Sequence, residues 1–108
     1  MIKISVAKKN GVYRSFKCSG HAGFAEYGND VVCAAVSMLV INTVNAIDEL
    51  TGCRISLDEN DSENGKLAIS FPDGTDEKAG VLMDAMVLGL QGVEEQNGRS
   101  HIKLEQVI

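Results

Sequence analysis

The sequence predicts an α+β fold: a two-layer sandwich of a mostly antiparallel sheet of about five strands with two helices on one face, in the order ββαββαβ. Three observations carry that prediction. Five short stretches alternate apolar and polar residues, as at Ile2-Lys3-Ile4-Ser5-Val6. Two longer stretches, Val31 to Leu50 and Ala79 to Val93, place apolar residues at helical spacing. Turn-forming clusters such as Asn10-Gly11 and Pro72-Asp73-Gly74 separate several of them.

The first strand starts at Ile2 and ends before Asn10-Gly11, a pair that supplies the positive φ angles of a tight hairpin. The second runs from about Val12 to Cys18. Val12, Phe16 and Cys18 share one face by alternation, with Tyr13, Ser15 and Lys17 on the other. No period is visible from Gly20 to Asn29. Asp30, or Asn29, is a good helix N-cap, and Gly52 is the expected stop. Val32, Val36, Leu39, Ile47 and Leu50 line one side of this helix. Its first half is apolar nearly all round, so it is expected to be central or to meet a second subunit.

Cys53, Ile55 and Leu57 alternate into a third strand, followed by an acidic turn, Glu59 to Gly65. Leu67, Ile69 and Phe71 form the fourth strand, paired with the third as a hairpin. Asp73 or Thr75 caps a second helix, with Asp76 and Glu77 in its first turn. Ala79, Leu82, Met83, Met86, Val87, Leu90 and Val93 give that helix one apolar face, and Val81, Ala85 and Leu88 a second stripe. Ile102 and Leu104 alternate with His101 and Lys103 in a last strand.

With 108 residues the chain is expected to form one domain, residues 1–108. A chain of this size buries roughly 65% of the surface exposed when unfolded, enough for a core without staples. The net charge of -5 argues against direct nucleic-acid binding and is compatible with a basic partner. The apolar run from Val31 to Val40 is too short to span a membrane. Three cysteines without an export signal point to reduced thiols in the cytoplasm.

Chemistry concentrates between Ser19 and Ser37. Cys33 falls in the first turn of a helix capped at Asp30, where unpaired N–H groups favour a thiolate and an oxyanion. The alternative for Cys33 is a small buried hydrophobe, the commonest fate of an unpaired cysteine. His21 follows a strand directly and has Gly20 and Gly23 around it, so the ring has room to act as general base. Cys18 and Cys53 sit on the inward side of alternating stretches and read as core thiols. His101 reads as a solvent-side strand residue. Cys18-Ser19-Gly20-His21 has C-x-x-H spacing, and Cys33 would make a third zinc ligand, but no fourth is evident. Neither a metal nor a cofactor is expected. Ser37 lies one turn beyond Cys33 and either supports the site or bonds the carbonyl four residues back.

The stretch Gly20-His21-Ala22, followed by Gly28-Asn29-Asp30-Val31-Val32-Cys33-Ala34-Ala35-Val36-Ser37, resembles the Prp family of ribosomal-processing cysteine proteases. The family pattern is G-H-A, a loop and G-x-D-[IV]-[VI]-C-A-A-[VI]-S, which this sequence meets without a gap. The resemblance extends over nearly the whole chain. It implies site-specific removal of the N-terminal extension of large-subunit ribosomal protein L-twenty-seven. It also implies a catalytic dyad of His21 and Cys33, with Asp30 matching the family aspartate, and a homodimer. The loop between them would act as a mobile cover. Gly20, Ala22, Gly23 and Gly28 would shape that cover, and Phe24 and Tyr27 would line a pocket for apolar substrate side chains. Asp30 and Ser37 remain candidates for a supporting role. The rival is a non-catalytic ribosome-assembly or peptide-binding module of the same fold, indifferent to substitution of Cys33.

Overall fold

The computed structural model describes residues 1–20, 27–61, 65–97 and 102–107, with backbone alone at 27–31, 97 and 107. The elements are β1 (Ile2–Lys9), β2 (Val12–Ser19), α1 (Tyr27–Leu50), β3 (Ser56–Asp61), β4 (Lys66–Ser70), α2 (Glu77–Asn97) and β5 (Ile102–Val107). The order is the expected ββαββαβ. The strands form one sheet in the order β3-β4-β2-β1-β5. Three of its pairings are antiparallel, and β5 runs parallel to β1, so the sheet is mixed.

Asn10 and Gly11 both have positive φ, 54° and 78°, and they close β1 onto β2 with Lys9 opposite Val12. The register then slips: Ala7 faces Ser15 but Lys8 faces Tyr13, so Arg14 is an extra residue on β2. A bulge of this kind turns the residues beyond it to the other face. Tyr13 is therefore buried among the core side chains, at 3% exposure, and not outward as alternation predicted.

Both helices lie over the same face. Ile2, Ile4 and Val6 of β1, Phe16 of β2, Ile69 of β4 and Ile102 of β5 meet Val32, Val36, Val40 and Ile47 of α1 and Met83, Met86 and Leu90 of α2 in one core. Full burial of each such side chain stabilises by about 1.5–3 kcal/mol. Residues Val32–Leu50 are long and apolar enough to cross a membrane by composition, yet the Val32, Val36, Val40 and Ile47 side of that stretch packs in this core. The helices touch closely where Gly89 faces Leu39: a Cβ on Gly89 would stand 2.9 Å from a Leu39 methyl.

Several boundaries differ from the sequence expectation. Helix α1 begins at Tyr27, so Asp30 is inside it and not its cap, and Cys33 lies in the second turn. Its C-terminus is closed by Thr51, whose hydroxyl donates to the Ile47 carbonyl at 2.7 Å and accepts from the Cys53 N–H at 3.1 Å. Gly52 follows without a left-handed φ. Leu50 is exposed, as are Met38 and Ile41, so α1 has a free outer face in this chain. Cys53 to Ile55 are irregular, and β3 instead extends to Asp61, because Asp61 pairs with Lys66 and the turn is shorter than expected. Asp76, not Asp73 or Thr75, caps α2 by accepting the Ala79 N–H at 2.8 Å. Thr75 accepts the Tyr13 N–H instead. Val81 and Leu88, the second stripe of α2, are exposed. His101 lies outside the described residues.

Candidate functional site

Helix α2 packs toward β5, while α1 lies beside it. The sheet's β3–β4 side reaches past α1, leaving an open groove of about 470 Å³. Its floor is the helix-facing side of the sheet, with Cys18, Leu67, Ile69 and Leu57. Its wall is one stripe of α1: Cys33, Ser37, Val40, Ile41, Val44 and Asn45. The lining is largely apolar, with Ser37 and Asn45 of α1 and Asn60, Asp61 and Lys66 from the β3–β4 end among its polar members. Cys33 is the stripe's N-terminal member. From there to Asn45 the helix advances about 18 Å, the length of about five extended residues.

Gly20 lines the same groove as Cys33. It ends β2 with φ +88°, and a Cβ there would overlap the Met1 carbonyl oxygen, so only glycine fits. Two elements thus converge: a strand end carrying Gly20, and a helix turn carrying Cys33. His21, Ala22, Gly23 and Phe24 lie outside the described residues. Tyr27, Gly28 and Asp30 are helical, with only their backbone described. Ser37 is exposed on the groove wall one turn beyond Cys33.

The second-turn position of Cys33 changes the electrostatic argument. The unpaired N–H groups of a helix belong to its first turn, and the dipole effect falls off there too. The first-turn amides of α1 therefore precede Cys33 by more than a residue or two and are not the ready oxyanion donors that a cap at Asp30 implied.

All three cysteines stand as half-buried thiols. Cys18 is raised above its ordinary pKa, first by burial and then by negative charge on Cys33. Cys53 is raised chiefly by burial, against a lowering hydrogen bond from the Asp76 backbone, with the Asp76 and Asp73 carboxylates adding to the rise. Its Sγ lies 3.6 Å from the Gly74 carbonyl oxygen. It borders a separate, polar hollow beyond the far end of α1, with Asp48, Asp73 and Asp76. Cys18 and Cys53 are thus favoured in the protonated thiol form.

Sequence periodicity placed Cys18 inward, and it is inward, but the space it faces is the groove. The groove residues Ile41, Val44 and Leu57 were read only as parts of apolar patterns. Exposed large side chains on an otherwise amphipathic helix and strand were the signal available for Ile41 and Leu57, at 57% and 58% exposure.

A small α+β domain with a thiol at the end of an extended apolar groove has the layout of a thiol hydrolase acting on an unfolded chain. The family model described as cysteine protease Prp matches residues 1–103. A ribosomal processing cysteine protease Prp from Bacillus subtilis is 38% identical over 84 residues, covering 74% of each chain. The solved structure of an essential ribosomal processing protease Prp from S. aureus, in complex with a covalently linked product peptide, superposes with a TM-score of 0.88. That match is at 31% identity and covers 98% of this chain and 99% of the other. A second structure of that protease, in complex with a substrate peptide, gives a TM-score of 0.87 at 29% identity, with the same coverage. The chain belongs to the Prp family and is a cysteine protease.

Proposed function

We propose that this protease removes the N-terminal extension of large-subunit ribosomal protein L-twenty-seven in the cytoplasm, with Cys33 as nucleophile and His21 as base. The observation that carries the reading is the meeting of Gly20 and Cys33 in one groove. His21 is the next residue after Gly20, so the strand end that reaches the groove is the one that leads into the imidazole. The S. aureus relative carries a covalently linked product peptide, in keeping with attack by a cysteine of this fold.

The chemistry runs in two halves. The His21 imidazole takes the Cys33 proton, and the thiolate attacks the scissile carbonyl. The imidazolium returns that proton to the leaving amine, leaving an acyl-enzyme on Sγ. Water, deprotonated by the same imidazole, then displaces the thiolate and frees the new carboxylate. Cys18, half-buried and held protonated, does not compete as nucleophile. The apolar groove is suited to several extended residues on one side of the cut. The net charge of -5 favours approach of a basic ribosomal-protein tail through steering. The reading includes a homodimer, supported by Met38, Val81 and Leu88, three large apolar side chains exposed on the two helices.

The test is incubation of the purified protein with an extended L-twenty-seven substrate, followed by mass analysis of the products. One defined cut is expected, abolished in Cys33→Ala and in His21→Ala with melting behaviour unchanged. Full processing by Cys33→Ala would overturn the assignment.

A further inference from the structure

Cys18 has no part in the peptidase chemistry, yet it is placed beside it. It sits near the end of β2, fixed by register with Ile4 of β1 and Leu67 of β4. Its side chain faces the helix layer and lines the groove together with Cys33. Both sulfurs also pack against the same core cluster from the two layers that enclose it. A strand residue on the helix-facing side of the sheet and a helix residue on the groove wall thus face one cavity from its floor and its wall. Charge on Cys33 is felt at Cys18, which agrees with that proximity.

We propose that Cys18 is the resolving thiol for Cys33, and that a peroxide converts the pair into a Cys18–Cys33 disulfide that reversibly silences the protease. The inference rests on Cys33 being the reactive nucleophile. The Cys33 thiolate attacks hydrogen peroxide, giving Cys33 sulfenic acid and hydroxide. Two electrons pass from sulfur to the peroxide. The Cys18 sulfur then attacks the sulfenic sulfur. The S–S bond forms, the S–O bond breaks, and the hydroxyl leaves as water with the Cys18 proton. A dithiol reductant restores both thiols. Cys18 suits the second role because it faces the same groove as Cys33 and is held in the thiol form, which peroxide oxidises less readily than a thiolate.

Cys53 is the internal control. It lies three residues past the end of α1, and the helical path from Cys33 to Leu50 is about 26 Å. No disulfide spans that distance, since bonded cysteines have Cα atoms about 4.4–6.8 Å apart.

The experiment treats the reduced protein with hydrogen peroxide and maps the products by mass without reduction. The expected result is a cross-linked peptide pair containing Cys18 and Cys33, lighter by two hydrogens, with Cys53 unchanged. Peptidase activity is lost in parallel and returns fully with dithiothreitol. In Cys18→Ser and Cys18→Ala, each compared with its own untreated activity, excess peroxide carries Cys33 on to sulfinic acid, and dithiothreitol does not restore that activity. If wild type also ends as Cys33 sulfinic acid with Cys18 reduced, the inference is overturned. The cross-link is read without any activity measurement. Cleavage of substrate by Cys33→Ala would instead strike the nucleophile assignment, so the two failures are distinct.

Discussion

The Tyr13 hydroxyl on β2 donates a hydrogen bond to the Asp84 carboxylate on α2, at 2.5 Å. Tyr13 is buried and Asp84 is exposed, so the bond ties a core ring to the rim of a helix. Lys8 lies over the same ring, 4.6 Å from its centre. Burial, then the hydrogen bond and charge of Asp84, push the phenol well above its ordinary range. In the unfolded chain it ionises near pH about 10. The folded state holds the proton more tightly, so this stabilisation is complete below about pH 10 and is lost as pH rises through the folded pKa. Tyr13→Phe keeps the ring and the lysine contact but removes the bond. It should lower stability by about 1 kcal/mol near neutral pH and flatten the alkaline decline. Urea unfolding of both proteins across that range checks it.

Gly20 and Gly11 make a matched pair for the strand end that leads into the site. Both have φ near +80 to +90°, at +88° and +78°. Nothing lies within 4 Å of a Cβ on Gly11, whereas one on Gly20 would overlap the Met1 backbone. Gly11→Ala should therefore cost about 1–2 kcal/mol, the strain of the left-handed backbone alone. Gly20→Ala should cost more, because Met1 must also move, and it should lower kcat by displacing the start of the His21 segment. Parallel melts and peptidase assays separate the two effects.

How far this was legible in the sequence depends on the range of the interactions involved. The Asn10-Gly11 hairpin and the inner face of α2 were legible because a turn pair and a 3.6-residue period are local signals. The burial of Tyr13 was not, because the Arg14 bulge that turns it arises from pairing with β1. The start of α1 was missed because Tyr27-Gly28-Asn29 carries a helix-disfavouring glycine and no apolar period. Cys33 was singled out for a first-turn position that it does not hold; it stands in the second turn, on the groove wall. The groove itself had no local signature. It exists because two helices cover a five-stranded sheet incompletely, which is a property of topology.

The three thiols should separate by reactivity. Cys18 and Cys53 are both raised, chiefly by burial, so little of either is thiolate at neutral pH. Cys33 heads the groove wall and is reached through it. Iodoacetamide at neutral pH should label Cys33 first, and peptide mapping reads this directly. Equal labelling of all three in the native state would show that the groove thiol is not the activated one.

The groove should determine which peptides are cut, and Ile41 and Leu57 allow that to be tested without unfolding the protein. They stand on opposite sides of it, on α1 and β3, and both are largely exposed in the free chain. Replacing an exposed apolar residue usually changes stability by no more than about 0.5 kcal/mol. Ile41→Asn and Leu57→Ser should therefore melt close to wild type. In the enzyme–substrate complex each side chain would lose apolar contact worth about 1–3 kcal/mol, a loss of about 10- to 200-fold in kcat/KM. The loss should appear for an extended substrate with apolar residues beside the cut and shrink for one with small polar residues there. Because ground state and transition state fill the groove alike, the change should fall mainly on KM. An equal loss of kcat for both peptides would place these residues in the chemistry and not in recognition.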